Sequence, residues 1–326
     1  MPVGSGINAQ FGGLKESVYG TPVTVTKFVE MVDESIQLNL DRIESKSLRS
    51  GSRVQRSTRW IANKMGASGD VTFEVQTKGM GWLFELAFGQ GAVTTPGGGT
   101  LTRDQTFKLS DTPPSATLQV GRPKVDNTVQ AFTYSGCMCT NWELACDVDG
   151  LLMFTLGIDA QDESTATALA TASYPTSITL LSYLGGQIQL GGVNYDVKKF
   201  SVKGDNGLAL DRRFIRNSGL KKQPIPADFT EIDVEFTVEF ADLVAYNLFT
   251  AGTLGTFSAA FTGPLIETTL SYGATFTAPI IRIDGATPTV SGPDILELDI
   301  KARILHDPAV SADPITFVYR TVDTTI

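Results

Sequence analysis

The sequence has very few of the residues that most often carry catalysis or bind metals. His306 is the single histidine among 326 residues, and Cys137, Cys139 and Cys146 are the only cysteines. One histidine is too few for a site built from two histidines, and the cysteine spacing fits no common zinc pattern. We expect the cysteines to pack beside Trp142 on a strand, and His306 to lie at a strand end or in a loop.

Other absences exclude further classes of protein. No apolar run approaches the roughly 20 residues that a membrane helix needs, and the first residues do not have the pattern of a secretory signal. No glycine-rich segment has the context of a nucleotide site, and no nucleophile elbow occurs. The sequence therefore predicts a protein that is not an enzyme, holds no cofactor or metal, and is made in the cytoplasm without inserting into a membrane.

What the sequence does contain is a pattern typical of β-structure. In residues 70–76 and 231–240, apolar and polar side chains alternate, as in strands with one buried face. Each of these strands is followed by a short apolar stretch that ends at a glycine, in residues 79–89 and 242–252. These stretches predict two short helices. We therefore expect a mainly β fold with a short α-helix flanking each sheet.

Several blocks of the first half are echoed, in the same order, in the second half. The paired blocks are 38–42 with 208–212, 70–76 with 231–240, 116–121 with 268–273, and 150–156 with 294–300. Conserved order over several blocks is the signature of an internal repeat. We predict two tandem copies of one β-rich domain, residues 1–170 and 171–326. The alternative is one irregular β protein with chance similarity.

Positive charge is concentrated in two segments, although the net charge of the chain is −9. The first segment contains Lys46, Arg49, Arg53, Arg56, Arg59 and Lys64 without an acid between them, and the second contains Arg213, Arg216, Lys221 and Lys222. A basic loop on an acidic body can bind nucleic acid or the acidic face of an identical neighbour. We favour contact between subunits, because the rest of the chain repels a phosphate backbone.

The opening of the chain resembles a known family. The segments that carry the resemblance are residues 6–13, the stretch Glu16-Ser17-Val18-Tyr19-Gly20-Thr21-Pro22, and residues 28–38 around Glu34-Ser35-Ile36. They are similar to the start of the major tail tube proteins of long-tailed, siphovirus-type bacteriophages. The likeness continues through the chain at lower clarity, as the order of strands and the placement of loops.

The resemblance implies a β-sandwich or split barrel whose strands join an inter-subunit β-barrel. Rings of subunits would stack into the tail tube of the virion, the conduit for ejecting the genome into the host. Partners would be other copies, the tape measure, terminator and distal tail proteins, and double-stranded DNA that passes without specific binding. Family rings are commonly hexameric, but a duplicated chain would form a trimer with pseudo-sixfold symmetry. The alternative is another virion β protein, such as a tail terminator, a baseplate-hub component or a decoration protein.

Acidic side chains on the polar strand faces are candidates for the lining of the channel, because carboxylates repel phosphate. These candidates are Asp70, Glu74, Glu231, Asp233, Glu235, Glu239, Glu297 and Asp299. The alternative interpretation is that these faces are the solvent side of an ordinary sheet. A carbohydrate-binding sandwich is disfavoured, because Trp60, Trp82 and Trp142 are scattered along the sequence.

Overall fold

The computed structural model describes residues 5–290, 292–293 and 295–326, and within them the protein is mainly β. This confirms the predicted fold class. Large antiparallel sheets dominate, and the described residues contain two α-helices. No sheet closes into a barrel within the described part of this single chain. Residue 294, the first of the last repeat block, lies outside the described residues.

Residues 5–170 form eleven strands and one α-helix, preceded by a short 3-10 helix at Gly6–Asn8. The elements are β1 (Gln10–Lys15), β2 (Lys27–Val29), β3 (Asp33–Glu34), β4 (Gln37–Glu44), β5 (Trp60–Glu74), α1 (Gly81–Phe88), β6 (Gly89–Thr94), β7 (Arg103–Leu109), β8 (Ala116–Pro123), β9 (Val129–Asp147), β10 (Met153–Ala160) and β11 (Asp162–Ser164). The helix coincides with the predicted stretch 79–89. We call this part of the chain the first half.

Residues 171–326, the second half, begin with a 3-10 helix at Tyr183–Gly185. The elements that follow are β12 (Gly186–Leu190), β13 (Val193–Tyr195), β14 (Val197–Asp205), β15 (Leu208–Ala209), β16 (Ile225–Pro226), β17 (Glu231–Glu239), α2 (Val244–Ala251), β18 (Gly255–Glu267), β19 (Leu270–Gly285), β20 (Glu297–Ile304) and β21 (Thr316–Thr321). Helix α2 ends at Gly252, whose φ of 64° lies in the left-handed region that glycine tolerates. Both helix predictions are confirmed.

The strands of the two halves are hydrogen-bonded in the same order, with every pair antiparallel. In the first half the order is β2–β1–β8–β9–β10–β5–β4. In the second half it is β13–β12–β18–β19–β20–β17–β14. The short β11 and the longer β21 also take corresponding places, on β9 and β19. The sequence match of 116–121 with 268–273 is wrong in structural terms, because the strand that corresponds to β8 is β18 rather than β19.

Strand β9 belongs to two sheets at once. Its first part pairs with β8 and β11, and its second part pairs with β10 and β14. The strand changes sheet near Gly136, which has a φ of 62°. A Cβ at this glycine would lie 2.8 Å from the Gln161 side chain and 3.1 Å from the Tyr19 ring. The bend therefore requires glycine for both its backbone conformation and its close packing.

Pairing between β9 and β14 joins the halves into one continuous sheet, which we call the long sheet. Across it the order is β4–β5–β10–β9–β14–β17–β20–β19, with β3 beside β4 on β5. A second joint is made by β21, which pairs with β7 of the β6–β7 hairpin. The hairpin is an addition to the first half, because α2 leads directly into β18. The division at residue 170 stays a prediction.

The hydrophobic core continues through both joints, and α1 lies inside it. Phe84 is fully buried, with its ring centroid 4.7 Å from that of Phe317 on β21 and 5.8 Å from that of Phe107 on β7. Trp142 on β9 packs 6.1 Å from Phe276 on β19. Helix α1 was expected to flank a sheet, but the second half and the β6–β7 hairpin cover it.

The three cysteines are free and buried on β9, as predicted.

Candidate assembly surfaces

One face of the long sheet carries most of its charged side chains, and we call it the charged face. Residues opposite one another on paired strands point to the same side of a sheet. One such row crosses six strands and consists of Thr72, Thr155, Glu143, Lys203, Asp233 and Arg303. The opposite face is apolar and faces the core, as the burial alternation of β17 shows.

All eight predicted acidic residues lie on the charged face. They are Asp70 and Glu74 on β5, Glu231, Asp233, Glu235 and Glu239 on β17, and Glu297 and Asp299 on β20. Their side chains are exposed or half-buried. The structure thus brings together residues far apart in sequence, because β5, β17 and β20 belong to one sheet. Whether this face lines a channel remains a prediction at this point.

Basic side chains interrupt the acids on the part of the charged face that belongs to the second half. Arg303 contacts Glu231 at 3.0 Å and Asp233 at 2.9 Å, and Lys301 lies 3.2 Å from Glu235. Lys198 bridges Glu239 at 3.1 Å and Glu297 at 2.8 Å. These pairs are well exposed, so each contributes little to stability. Their effect is to lower the charge density of the face without making it positive.

On β5, in the first half of the same face, the acids have no basic partner among the described residues. Asp70 and Glu74 form no ion pair with any described residue. Their neighbours are uncharged polar side chains, such as Thr72, whose Oγ1 lies 3.4 Å from that of Thr155. The charged face is therefore polar throughout, with a lattice of ion pairs at one end and isolated carboxylates at the other.

The first basic segment forms a projecting hairpin, residues 40–64, which we call the basic arm. Ile43 and Ile61 are directly opposite one another in it and are 58% and 69% exposed. Of its cations, Lys46, Arg49, Arg53 and Arg59 are exposed and Arg56 is half-buried. In the described part of the chain none of these five makes an ion pair. Only Lys64, at the base of the arm, is paired, with Asp162.

The second basic segment, residues 210–224, instead folds onto the first half. Lys221 is 3% exposed, and its Nζ lies 2.6 Å from both carboxylate oxygens of Asp159 on β10. Burial raises the pKa of the Asp159 carboxyl, and the Lys221 ammonium and Arg213 oppose that rise. Gln161 donates a hydrogen bond of 2.7 Å to the backbone oxygen of Lys221. The ammonium group of Lys221 is therefore paired within the chain and is not available to a neighbouring subunit.

The remaining predicted cations of this segment stay close to it. Arg213 donates to the backbone oxygens of Lys64, at 3.3 Å, and of Gly219, at 3.0 Å. Arg216 donates to the backbone oxygen of Leu220 at 2.7 Å. Lys222 is exposed and its Nζ lies 5.1 Å from the centre of the Phe214 ring. The two basic segments are thus similar in composition and different in what they contact.

The buried carboxylate of Glu16 holds the bend of β9 in place. Glu16 belongs to the motif that carries the family resemblance, but the sequence did not predict this function for it. Glu16 is 6% exposed and accepts four hydrogen bonds of 2.8–2.9 Å. The donors are the backbone N–H groups of Gly20 and Gly136 and the hydroxyls of Ser115 and Thr117. The signal was the Glu16-x-x-Tyr19-Gly20 stretch, but its donors on β8 and β9 lie about a hundred residues away.

The described residues contain no group of three or more His, Cys, Asp or Glu side chains arranged to hold a metal ion. No helix in the described ranges is long and apolar enough to cross a membrane. Burial raises the pKa of the Cys146 thiol to about 11, so this thiol stays protonated at neutral pH. The surfaces that stand out are therefore the charged face, the basic arm and the unpaired ends of the long sheet.

Comparison with models of known protein families gives a match. A family model described as phage tail tube protein matches residues 6–304, which is nearly the whole chain. A search of curated proteins found no match.

Proposed function

The chain belongs to the phage tail tube protein family, and on that premise we propose how it builds the tube. It is a structural protein of the virion tail that associates with further copies of itself. We propose that the tube is that of a siphovirus-type, non-contractile tail, and that stacked rings of the chain form the conduit for genome ejection.

The observation that carries the proposal is the long sheet with its repeated strand order. Four strands of each half lie side by side in it, in corresponding order, and the halves are joined by β9 and β14. A sheet extended in this way by further copies curves and can close on itself, which removes exposed edges. This order supports two copies of one tube domain in each chain.

Three chains then supply six domains, so we propose a trimeric ring with pseudo-sixfold symmetry. The ring of six chains is the alternative. A ring closes by rotation when each chain presents two different surfaces to its two neighbours. The chain has such surfaces, since the end of the long sheet at β4 differs from its end at β19.

The charged face fits the inner wall of the tube. DNA carries a phosphate on every nucleotide, and binding to it depends on neutralisation by Lys and Arg. On this face carboxylates hold most of the cations in ion pairs, and the first half offers carboxylates alone. Such a wall repels the phosphate backbone and leaves no site that would retain it. We propose that DNA passes along this face without specific binding.

Cryo-electron microscopy of purified protein and of particles tests the assembly. We expect stacked rings with a central channel, threefold symmetry and six similar lobes in each ring, with the charged face turned to the channel. A protein that stays monomeric under all conditions contradicts the proposal. A fixed small oligomer that never polymerises would support a tail terminator, a baseplate-hub component or a decoration protein instead.

The role of the charged face has its own test. The substitution Glu74→Lys puts positive charge on it, and Asp111→Lys makes the same change of charge in an exposed loop as a control. We expect particles with the first change to eject DNA more slowly at low salt, with the difference decreasing as salt is added. Equal ejection rates for both particles would contradict a lining role. The tape measure, terminator and distal tail proteins are the further partners that we propose.

A further inference from the structure

Three kinds of contact occur where the two halves meet at β9 and β14. The second part of β9 pairs with β14, with Glu143 opposite Lys203 and Trp142 opposite Gly204. Helix α1 is covered from the second half, where Phe317 packs 5.3 Å from Phe88. The side chain of Asn206 donates bonds of 3.0 Å to the backbone oxygens of Ala87 and Cys139. Strand pairing, a covered helix and a capped helix end therefore occur together.

In the second half, the corresponding strand edge and helix lack the neighbours that they have in the first half. The end of β19, residues 281–285, corresponds to the second part of β9 and pairs only with β20 and, at residue 281, with β18 among the described strands. Helix α2 corresponds to α1, but Ala245 is its one buried residue. Leu243 and Val244 at its start are 53% and 46% exposed, and Leu254 after it is 51% exposed. An apolar helix and an open strand edge thus lie at the same end of the chain.

The first half presents the complementary elements at the opposite end. The strands that correspond to β14 are β3 and β4, which pair with β5 on one side only within the described residues. The side chains beside this open edge include Val32, which is 53% exposed. The basic arm, which corresponds to the anchored segment 210–224, projects from the same end, and none of its cations between residues 46 and 59 has a carboxylate partner in the described residues.

We propose that two copies join as the two halves of one chain join. The edge of β3 and β4 in one copy pairs antiparallel with residues 282–285 of the next copy, and that copy's α2 is covered at the same joint. The partner is a second copy because the position corresponding to α2's exposed surface is filled, in the first half, by β21 of the other half of this chain together with the β6–β7 hairpin. The inference rests on the proposed assembly into rings and specifies its contact.

The register of the proposed contact follows from the internal one. Lys203 is opposite Asp233 on β17, and the corresponding position beside Asp70 on β5 is Ser35, whose N–H donates to the Asp70 oxygen at 2.9 Å. Glu143 follows the buried Trp142 and is opposite Thr155, and the corresponding place on β19 is a bulge of Asp284 and Gly285, which follows the buried Ile283. Ser35 of one copy is therefore placed opposite the bulge of Asp284 and Gly285 in the next.

Charge favours the same arrangement. In the internal joint, Lys221 reaches Asp159 at the end of β10. The end of β20, which corresponds to it, is followed by the exposed Asp307. The unpaired cations of the arm, Arg49 and Arg53 among them, project from the end of the chain that would meet Asp307 of the neighbour. An acidic site thus faces a basic arm at the proposed contact.

Cross-linking tests the contact and counts the chains in a ring. In the variant with Ser35→Cys and Asp284→Cys, oxidation or a short bismaleimide should link chains to one another, and the products should stop at a covalent trimer. Products that continue to a hexamer would keep the contact and replace the three-chain ring. The single substitutions and the pair Asp111→Cys with Asp284→Cys are the controls. The native cysteines are buried, so they should not compete for the cross-linker.

The outcomes separate this inference from the proposed function. If the double variant forms rings by electron microscopy but links no more than the controls do, the contact is wrong and the tube stands. If the unaltered chain forms no ring, both are wrong.

A charge series gives a second readout. Ser35→Lys should lower the concentration needed for assembly and Ser35→Glu should raise it, each by about twofold to fivefold, as expected of one cross-strand charge pair. Adding Asp284→Lys should reverse both effects. If Ser35→Lys still assembled at a lower concentration than Ser35→Glu in the presence of Asp284→Lys, the register would be contradicted.

Discussion

The two basic segments have similar composition but differ in what they contact. Residues 210–224 are held on the first half by the Lys221–Asp159 pair, at 2.6 Å, while residues 45–59 of the arm reach no carboxylate in the described structure. Both segments connect corresponding strands, one between β4 and β5 and the other between β14 and β17. What differs is whether the chain itself supplies the neighbouring domain. The exposure of the arm is therefore what we expect if another copy supplies the domain that it contacts.

The helices show the same difference. Helices α1 and α2 follow corresponding strands, but Phe84 of α1 is fully buried whereas Leu248 and Phe249 of α2 are only half-buried. Chain that folds over α1 comes from β7 and β21, and nothing comparable in the described residues folds over α2. The helix surface that is covered in the first half is therefore open in the second half.

The largest expected effect comes from breaking the anchored segment. Lys221→Met leaves the Asp159 carboxylate buried without its cation, so we expect the free energy of unfolding to fall by about 3–5 kcal/mol. Denaturant unfolding of the soluble chain measures this. Lys222→Met, at an exposed position, should change it by less than about 1 kcal/mol. Equal effects of the two changes would contradict the assignment, and adding Asp159→Leu to Lys221→Met should restore most of the loss.

A smaller effect is expected from the clamp that only the first half has. Glu16 links β1 to the bend of β9, whereas β12 and β13 are joined by the two-residue turn Gly191–Gly192. Glu16→Gln would aim an amide NH2 at groups that all donate, so we expect a loss of about 1.5–3 kcal/mol. The exposed Glu30→Gln is the control, and thermal unfolding of both variants gives the comparison. A clamp that is dispensable would give the same melting temperature in both.

The arm should affect assembly and leave folding unchanged. Arg49→Glu alters an exposed cation that makes no ion pair within the described residues, so the free energy of unfolding of the isolated chain should stay within about 0.5 kcal/mol of the original. The concentration needed for assembly, followed by light scattering, should rise by about twofold to fivefold. Lys124→Glu is an equivalent change at another exposed position and should leave both quantities unchanged. If the two variants assemble alike, the arm is not a contact.

The smallest effect concerns a contact between the halves at a hairpin tip. Glu267, at the end of β18, accepts bonds of 2.7–2.9 Å from Thr100, Leu101 and Thr102 of the β6–β7 loop. These donors lower the pKa of Glu267 to about 2. Because the folded pKa lies below the ordinary value near 4.5, the stabilisation is complete above that value and disappears as the pH falls towards 2.

Comparison of pH series separates this contribution from other acids. In the variant Glu267→Gln the fall in melting temperature between pH 5 and pH 2 should be shallower than in the unaltered chain, although the variant starts from a lower value. Glu30→Gln serves again as the exposed control. Parallel curves for all three proteins would show that Glu267 does not titrate as its contacts imply.

Local patterns in the sequence predicted the local structure well. The alternation in residues 231–240 corresponds to β17, and the apolar stretches before Gly89 and Gly252 are α1 and α2. The eight acids were assigned to polar strand faces, and the acids of each strand lie on one side because side chains alternate with a period of two. These features depend on neighbouring residues alone, so one sequence is enough to find them.

Features that depend on distant pairing could not be predicted. Nothing near Lys221 marks it as a buried partner of Asp159, and its composition grouped it with exposed cations. The addition of β6 and β7 to β21 joins residues about two hundred positions apart and leaves no periodic signal. Glu16 was noticed within a motif, but its function as an acceptor depends on donors from β8 and β9.

Strand β9 stiffens the corner between the two sheets of the first half. It runs through two sheets of the first half as one backbone of 19 residues and turns at Gly136. The corner between the sheets is therefore covalent, and sliding one sheet over the other requires hydrogen bonds on both sides of β9 to break together. An outward load on this corner would act on the peptide bonds of β9 rather than on a loop. We expect the angle between the two sheets to change less than it would if a flexible loop joined them.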